Sequence, residues 1–403
     1  MIRWRLQKKC LLSFNRLLMP GKRICLFTAH SPASGGGGTI LRSLVENMPN
    51  ISVTWCYTGS KVEGYETGYM GAAIMGGNIL NDISSTFTMI NGFDNNGINE
   101  LVGKMLNVPC DIYWIVSHNE GLRVAFELTK RQKERPVHLT VHDDWGGALA
   151  AQSVRYRLFT GLANKLTIKT LQTVSSFDVI SCGMQKYYKD ISGLNGDVCH
   201  RFLSAQSINA KPFKSGATVN IGHIGRLYKK SSLIALVRLL KKFYDPKGIT
   251  PIVKLWGCHL TSDSLPSSLR SNVCFYPTAS ETEVIPQLAN CDMLYAMYPL
   301  EKRLMVFAQT SLPTKLTSYL QAGRPILAHC PQSSTLAEYI NTTGLGVIWK
   351  SDDETEGMAT LAKMSLINLT EEQLLNARER YFGESNLHVM NRYLTSGDIA
   401  STT

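Results

Sequence analysis

Two α/β domains of Rossmann-like design, facing one another across a cleft, are what this sequence predicts. Three stretches carry the prediction: a strand, glycine-rich loop and helix opening near residue 22; a strand running into a basic turn and helix from 218, after a polar linker; and a helix, tight turn and buried strand over 311–331. A chain of 403 residues is long enough for two separate cores.

Composition narrows the class. Hydrophobic content of 44% and charged content of 18% are those of a globular protein, and no run of about 18 apolar residues offers a membrane-spanning helix. The formal net charge of +11 implies an acidic partner, whether a nucleotide, a phosphorylated lipid, a membrane surface or nucleic acid. Nucleic acid has only the charge in its favour, since no RNP-like or helix-turn-helix signature is present. The ten cysteines include no C-x-x-C pair and several sit among aliphatic residues, so they read as small buried hydrophobes in a reducing compartment, with no metal site expected.

The first domain is expected over 21–204. Before it, residues 1–20 mix Arg3, Arg5, Lys8, Lys9 and Arg16 with Trp4, Leu11, Phe14 and Leu18. That pattern suits an interfacial helix on an anionic membrane, or equally a frayed basic extension. KRICLFTA over 22–29 is a near-continuous apolar strand, and Gly35, Gly36, Gly37 and Gly38 follow it. Four consecutive glycines do not have the G-x-G-x-x-G spacing, but they clear side chains from a loop where a ligand or a second domain must approach backbone. A flexible solvent loop is the plainer alternative. A strand is expected at 51–57, and over 59–103 a glycine-rich stretch of little periodicity reads as an irregular or acceptor-binding insertion. DIYWIVS at 111–117 and the strand at 137–141 restore order, and the latter ends in His142, Asp143 and Asp144. Polar clusters at the carboxyl ends of parallel strands are where α/β folds place ligand chemistry. Residues 148–173 then read as one long helix whose basic and large apolar side chains alternate, suited to a lipid surface or to plain solvation. A strand at 177–182, a helix at 183–189 and the polar linker 204–217 close this half.

The second domain is expected over 205–384. Its first strand, 219–224, exits through Gly225 to Arg226, Lys229 and Lys230, where cations meet a helix start and form a phosphate site. Strands follow at 252–256, ending in Gly257, at 273–276 and at 293–297. In the 311–331 unit, Ser311 is expected to cap a helix with Pro313 in its first turn, Leu316 and Leu320 on one face, and Gly323 at its end. The free N–H groups at that helix start, with Thr314 and Lys315 beside them, suit a phosphate.

PTKLTSYLQAGRPIL over 313–327 resembles the donor-binding helix of glycosyltransferases with the GT-B fold, in particular the glycogen-synthase-like family four. LTVHDDW at 139–145 and Gly225-Arg226-Leu227 resemble further strings of that family, and the match runs in order through most of 22–350. The resemblance implies a glycosyltransferase of the GT-B architecture that moves a sugar from a nucleotide-sugar donor to a glycan or lipid-linked acceptor. It also implies retention of anomeric configuration, with no cofactor and no metal, while the basic N-terminal stretch and basic helix make surface polysaccharide assembly the expected setting. It implies that His142 and Asp143 face the reacting sugar, that Arg226 and Lys230 with Pro313, Thr314 and Lys315 hold the donor diphosphate, and that Gly257 and Ser318 meet the nucleoside. Gly35 to Gly38 would floor the cleft, and the last helix, 385–403, would cross back to the first domain. The sequence departs at two places: the family's two glutamates fall by position at Thr310 and Ser318, neither acidic. Glu301 is a substitute if its loop folds inward. An inverting variant would need Asp143, Asp144 or His30 as base. The competing readings are a catalytically silent nucleotide-sugar-binding scaffold of a glycan assembly complex, and a nucleotide-sugar epimerase of the same architecture. The expected location is cytoplasmic, peripheral on the inner membrane face through an anionic surface.

Overall fold

A computed structural model describes residues 21–33, 35–75, 79–92, 96–152, 154–205 and 216–396. The extension 1–20 and most of the linker lie outside the described residues, and with them the interfacial helix expected there.

The chain builds two sheets, every strand pairing parallel. The first contains β1 (Lys22–Thr28), β2 (Ile51–Thr58), β3 (Tyr69–Gly71), β4 (Ile112–Val116), β5 (Val137–Val141), β6 (Ser176–Val179) and β7 (Asp197–Val198). Its spatial order is β3-β2-β1-β4-β5-β6-β7. The second contains β8 (Thr218–Ile224), β9 (Thr250–Trp256), β10 (Val273–Tyr276), β11 (Met293–Met297), β12 (Ile326–His329) and β13 (Gly346–Trp349), in the order β10-β9-β8-β11-β12-β13. The central strands β4, β5, β11 and β12 are buried at every position, as strands covered by helices on both faces must be. In β4 and β11 the unbroken apolar run is itself the sequence signal, whereas β5 also buries His138 and Thr140. In each sheet the winding reverses beside the first strand, between β1 and β4 and between β8 and β11. Those are the two points where a parallel sheet opens a crevice at its strand ends.

The C-terminal segment returns to the first domain. Helix Glu384–Asn391 leads to a final turn, and Met390 and Leu394 are fully buried in the first domain's core. Burying two such side chains contributes about 1.5–3 kcal/mol each. The Asn386 side chain fixes the crossing further by accepting the His200 backbone N–H at 2.5 Å.

Three local expectations change. Residues 148–173 are not one helix: Trp145–Gln152 and Thr160–Leu171 are α-helical, and Val154–Phe159 between them is a 3-10 turn. Ser153 and Val154 are poor helix formers, and Gly161 weakens the next turn. The stretch 59–103 is less irregular than its glycines suggest, with helices Ile79–Asn91 and Asn96–Leu106, the second burying Ile98, Leu101, Val102 and Met105. Ser311 caps nothing: it follows the helix Met305–Thr310, and the next helix begins only at Lys315, so Pro313 precedes that helix instead of lying in its first turn.

Candidate functional site

The loops after β1 and β8 face each other at the two switch points, around a cavity of about 330 Å³. The first domain contributes Gly35, Gly36 and Thr39. Gly36 holds φ 58, a left-handed value that costs a residue with a Cβ, and it opens the helix Gly37–Val45 with no side chain capping that end. Opposite it, Gly225 at φ 78 turns the chain out of β8 so that exposed Arg226 lines the cavity.

The third wall is the start of helix Lys315–Ala322. Thr314 is its N-cap but makes no side-chain capping bond, and both Thr314 and Lys315 line the cavity. An uncapped helix start presents N–H groups and a positive dipole end to the space before it. The Lys315 ammonium lies 3.5 Å from His223 Nε2. His223 Nδ1 is 2.8 Å from the Tyr295 carbonyl oxygen, to which it donates; Nε2 is then left as an acceptor facing the ammonium. Burial, then Lys315, pushes His223 down to about 3, so the imidazole is neutral. Burial also lowers Lys315 to about 7.

A carboxylate completes the cavity, and sequence reasoning missed it. Glu281 opens helix Glu281–Ala289, which packs beside helix Lys315–Ala322. Arg201, from the segment joining the domains, grips it with two hydrogen bonds of 2.6 and 2.7 Å and donates a third, 2.9 Å long, to Thr317. Ser318 donates to the same carboxylate at 2.9 Å. Burial alone would raise the Glu281 pKa, yet the Arg201 pair outweighs it and the group sits below its ordinary value. Nothing local in the sequence marks Arg201 or Glu281, because they meet only where the segment after β7 reaches the start of helix Glu281–Ala289.

Not every anticipated residue reaches the cavity. Gly35, Gly36, Arg226, Gly257, Thr314, Lys315 and Ser318 line it. Gly37 and Gly38 lie within the first turn of their helix, and Pro313 precedes the cavity wall. Lys230 is the exposed first residue of helix Lys230–Tyr244, away from the lining. Its neighbour Lys229 pairs with Glu301 at 3.2 Å, so Glu301 is engaged at that ion pair. Thr310 is fully buried and donates its hydroxyl to the Val306 carbonyl of its own helix at 2.8 Å.

His142 and Asp143 lie beyond the glycine loop, at the junction of the domains. The ring of His142 packs so near Gly37 that a Cβ there would stand 3.0 Å from Nδ1. Its Nε2 is buried and has no hydrogen-bond partner among the described residues. Burial, with His30, His200 and His118 around it, lowers His142 to about 3, leaving a neutral ring. Asp143 accepts a hydrogen bond from Ser311 of the second domain at 2.7 Å, while burial raises its pKa. Asp144, also raised by burial, is held by Tyr188 at 2.9 Å and the Gly147 N–H at 2.7 Å. The serine expected to cap a helix is thus a contact that ties the Asp143 loop to the second domain.

No family model matches the sequence, and no curated protein matches it. Solved structures do match. Sucrose-phosphate synthase from Thermosynechococcus elongatus superposes with a TM-score of 0.67 at 10% identity, over 94% of this chain and 100% of that one. The lipopolysaccharide outer core galactosyltransferase WaaB, in its apo form, gives 0.59 at 14% identity, over 93% and 99%. Alr3699/HepE from Anabaena, solved with UDP and glucose, gives 0.56 at 14%, over 93% and 100%. The chain therefore has the two-domain GT-B fold, and the resemblance read from its sequence holds at the level of that architecture.

Proposed function

We propose that the protein is a glycosyltransferase of the family-four type, which moves a sugar from a nucleotide-sugar donor to a glycan or lipid-linked acceptor in surface polysaccharide assembly. One observation carries the reading: a single inter-domain cavity at both switch points gathers Arg226, Lys315 and an uncapped helix start on one side and a glycine loop on the other. Transfer from a nucleotide sugar requires stabilising the departing diphosphate and keeping water away while two domains close. Arg226 and Lys315 would take the diphosphate charge without a metal, with N–H groups of the helix start aimed at its oxygens. The neutral His142 ring, with a buried Nε2 free to hydrogen-bond, would accept or donate to a hydroxyl of the donor sugar. Retention of configuration is part of the proposal.

The acceptor side is read from the first domain. Between Asp144 and Asp178 the chain has no acidic residue but carries Arg155, Arg157, Lys165 and Lys169. Leu158 is 86% exposed and Phe87 46%, and the Phe87 and Phe159 rings lie 6.1 Å apart. Cations around exposed apolar side chains suit the headgroup layer of an anionic membrane, from which a lipid-linked acceptor is drawn.

The test is a panel of nucleotide sugars, first by thermal shift and then by release of nucleoside diphosphate with and without acceptor. The reading expects one donor to raise the melting temperature and to be consumed, and His142→Ala to abolish consumption. A donor that binds but is never consumed favours a silent scaffold. A donor converted to another nucleotide sugar without acceptor indicates an epimerase.

A further inference from the structure

We infer that a second cavity, at the junction where the C-terminal helices cross back to the first domain, binds a free amino acid with an apolar side chain, which bridges the two domains. This cavity shares no lining residue with the one between the glycine loop and Arg226, so its occupant is a ligand separate from the nucleotide sugar.

Both domains and the crossing segment build it. Ile180, just after β6, and Val198, at the end of β7, come from the first domain, and Leu312 and Glu338 come from the second. Arg380 comes from helix Glu371–Phe382, immediately before the chain crosses. The volume is about 180 Å³. A cavity of roughly 150 Å³ holds one benzene ring. The space therefore suits a side chain the size of leucine's or phenylalanine's, set against Ile180, Val198 and Leu312. Junctions between domains are also where small-molecule sites concentrate.

Charge selects the rest of the ligand. Arg380 and Glu338 are exposed, and neither is taken up by an ion pair among the described residues. They stand beside one ring: burial raises the Tyr381 pKa, with Glu338 adding to the rise and Arg380 opposing it. His200 adds a donor. Its Nδ1 accepts the Arg201 backbone N–H at 2.7 Å, and burial pushes the ring down to about 3, so the neutral imidazole carries its proton on Nε2. That Nε2 is buried, and the Leu312 carbonyl near it makes no hydrogen bond of proper geometry. Two donors, the guanidinium and the imidazole N–H, match a carboxylate, and the Glu338 carboxylate matches an ammonium. A free amino acid carries both groups on the carbon that bears its side chain. Seated between Ile180 and Val198 of one domain and Leu312 and Glu338 of the other, it holds the two together.

The test is calorimetry and thermal shift on the full chain with L-leucine and L-phenylalanine. Each is compared with its 2-oxo acid, which lacks the ammonium, and with its amine, which lacks the carboxylate. The amino acid is expected to raise the melting temperature and to bind about tenfold more tightly than either analogue. Glu338→Gln should bring amino acid and oxo acid within about twofold of each other, and Arg380→Gln should do the same for amino acid and amine. Both side chains are exposed, so both variants keep the fold. A saturating nucleoside diphosphate should not displace the amino acid, because the two cavities are separate. Failure of both amino acids to bind at millimolar concentration would overturn the inference, as would an oxo acid or amine bound as tightly as its parent. So would a preference untouched by both substitutions, or displacement by a nucleoside diphosphate, which would place the amino acid in the other cavity.

Discussion

If the inter-domain cavity takes a diphosphate, as proposed, Lys315 gives that binding a pH dependence. Burial lowers its pKa to about 7, and the groups around it, His223 and Cys258, stay neutral from pH 6 to 8 because burial holds His223 low and the Cys258 thiol high. A bound diphosphate favours the ammonium form, so its pKa rises on binding, and above pH 7 each binding event must take up a proton. About nine-tenths of the free protein carries the ammonium at pH 6, but only about one-tenth at pH 8. The dissociation constant should therefore rise about tenfold between those values, or roughly 1.4 kcal/mol. The assay is calorimetry with a nucleotide sugar, whose phosphates are both esterified and do not titrate in this range, in buffers of differing ionisation enthalpy. Proton uptake near one per ligand at pH 8 and near zero at pH 6 is expected, and Lys315→Met should be weaker at pH 6 and flat with pH. A flat profile in the unaltered protein, or a slope that survives Lys315→Met, would refute the reasoning. In the unliganded protein the same depressed value acts in the opposite sense. Its cost to stability is complete below pH 7 and recedes as pH rises from there toward the ordinary lysine value.

Further outcomes follow from packing. Gly183→Ala places a Cβ 2.0 Å from the Gln309 carbonyl oxygen of the other domain, and should cost about 1–3 kcal/mol in chemical denaturation while prying the domains apart. Ser311→Ala removes the hydrogen bond to Asp143 and should cost about 1–3 kcal/mol by the same measurement, since a buried carboxyl is left without that partner. Because His142 stands outside the cavity lining, His142→Ala should leave the nucleoside diphosphate dissociation constant within about twofold while turnover is lost. Leu158→Glu, in the stretch between Asp144 and Asp178 that has no acidic residue, should reduce sedimentation with phosphatidylglycerol vesicles severalfold and leave thermal stability unchanged, the side chain being 86% exposed.

Much of the fold was legible because parallel strands buried on both faces leave unbroken apolar runs, as in β1, β4 and β11, and because Gly225-Arg226 follows its strand directly. The helix Asn96–Leu106 was missed: Ile98, Leu101, Val102 and Met105 recur at helical spacing, but the surrounding glycines concealed it. The site was readable where one segment makes it, as at Thr314 and Lys315. It was not readable where segments far apart in sequence meet. Arg201 and Glu281 stand 80 residues apart, and their ion pair exists only because the segment after β7 meets the start of helix Glu281–Ala289. Ser311 was misread for a related reason: a serine before a proline resembles a cap, yet its hydroxyl is engaged by Asp143, 168 residues away. Lys230 was preferred over Lys229 from spacing alone, and the structure leaves the first exposed and commits the second to Glu301.

The central claim is that a diphosphate binds between Arg226 and the start of helix Lys315–Ala322. A crystal structure of the protein with its tightest nucleoside diphosphate tests it most directly. Both phosphates should lie in the cavity, within hydrogen-bonding distance of the Arg226 guanidinium and of backbone N–H groups at Thr314 and Lys315. A nucleotide bound with its phosphates turned away from Arg226, or seated outside the inter-domain cavity, would contradict the account.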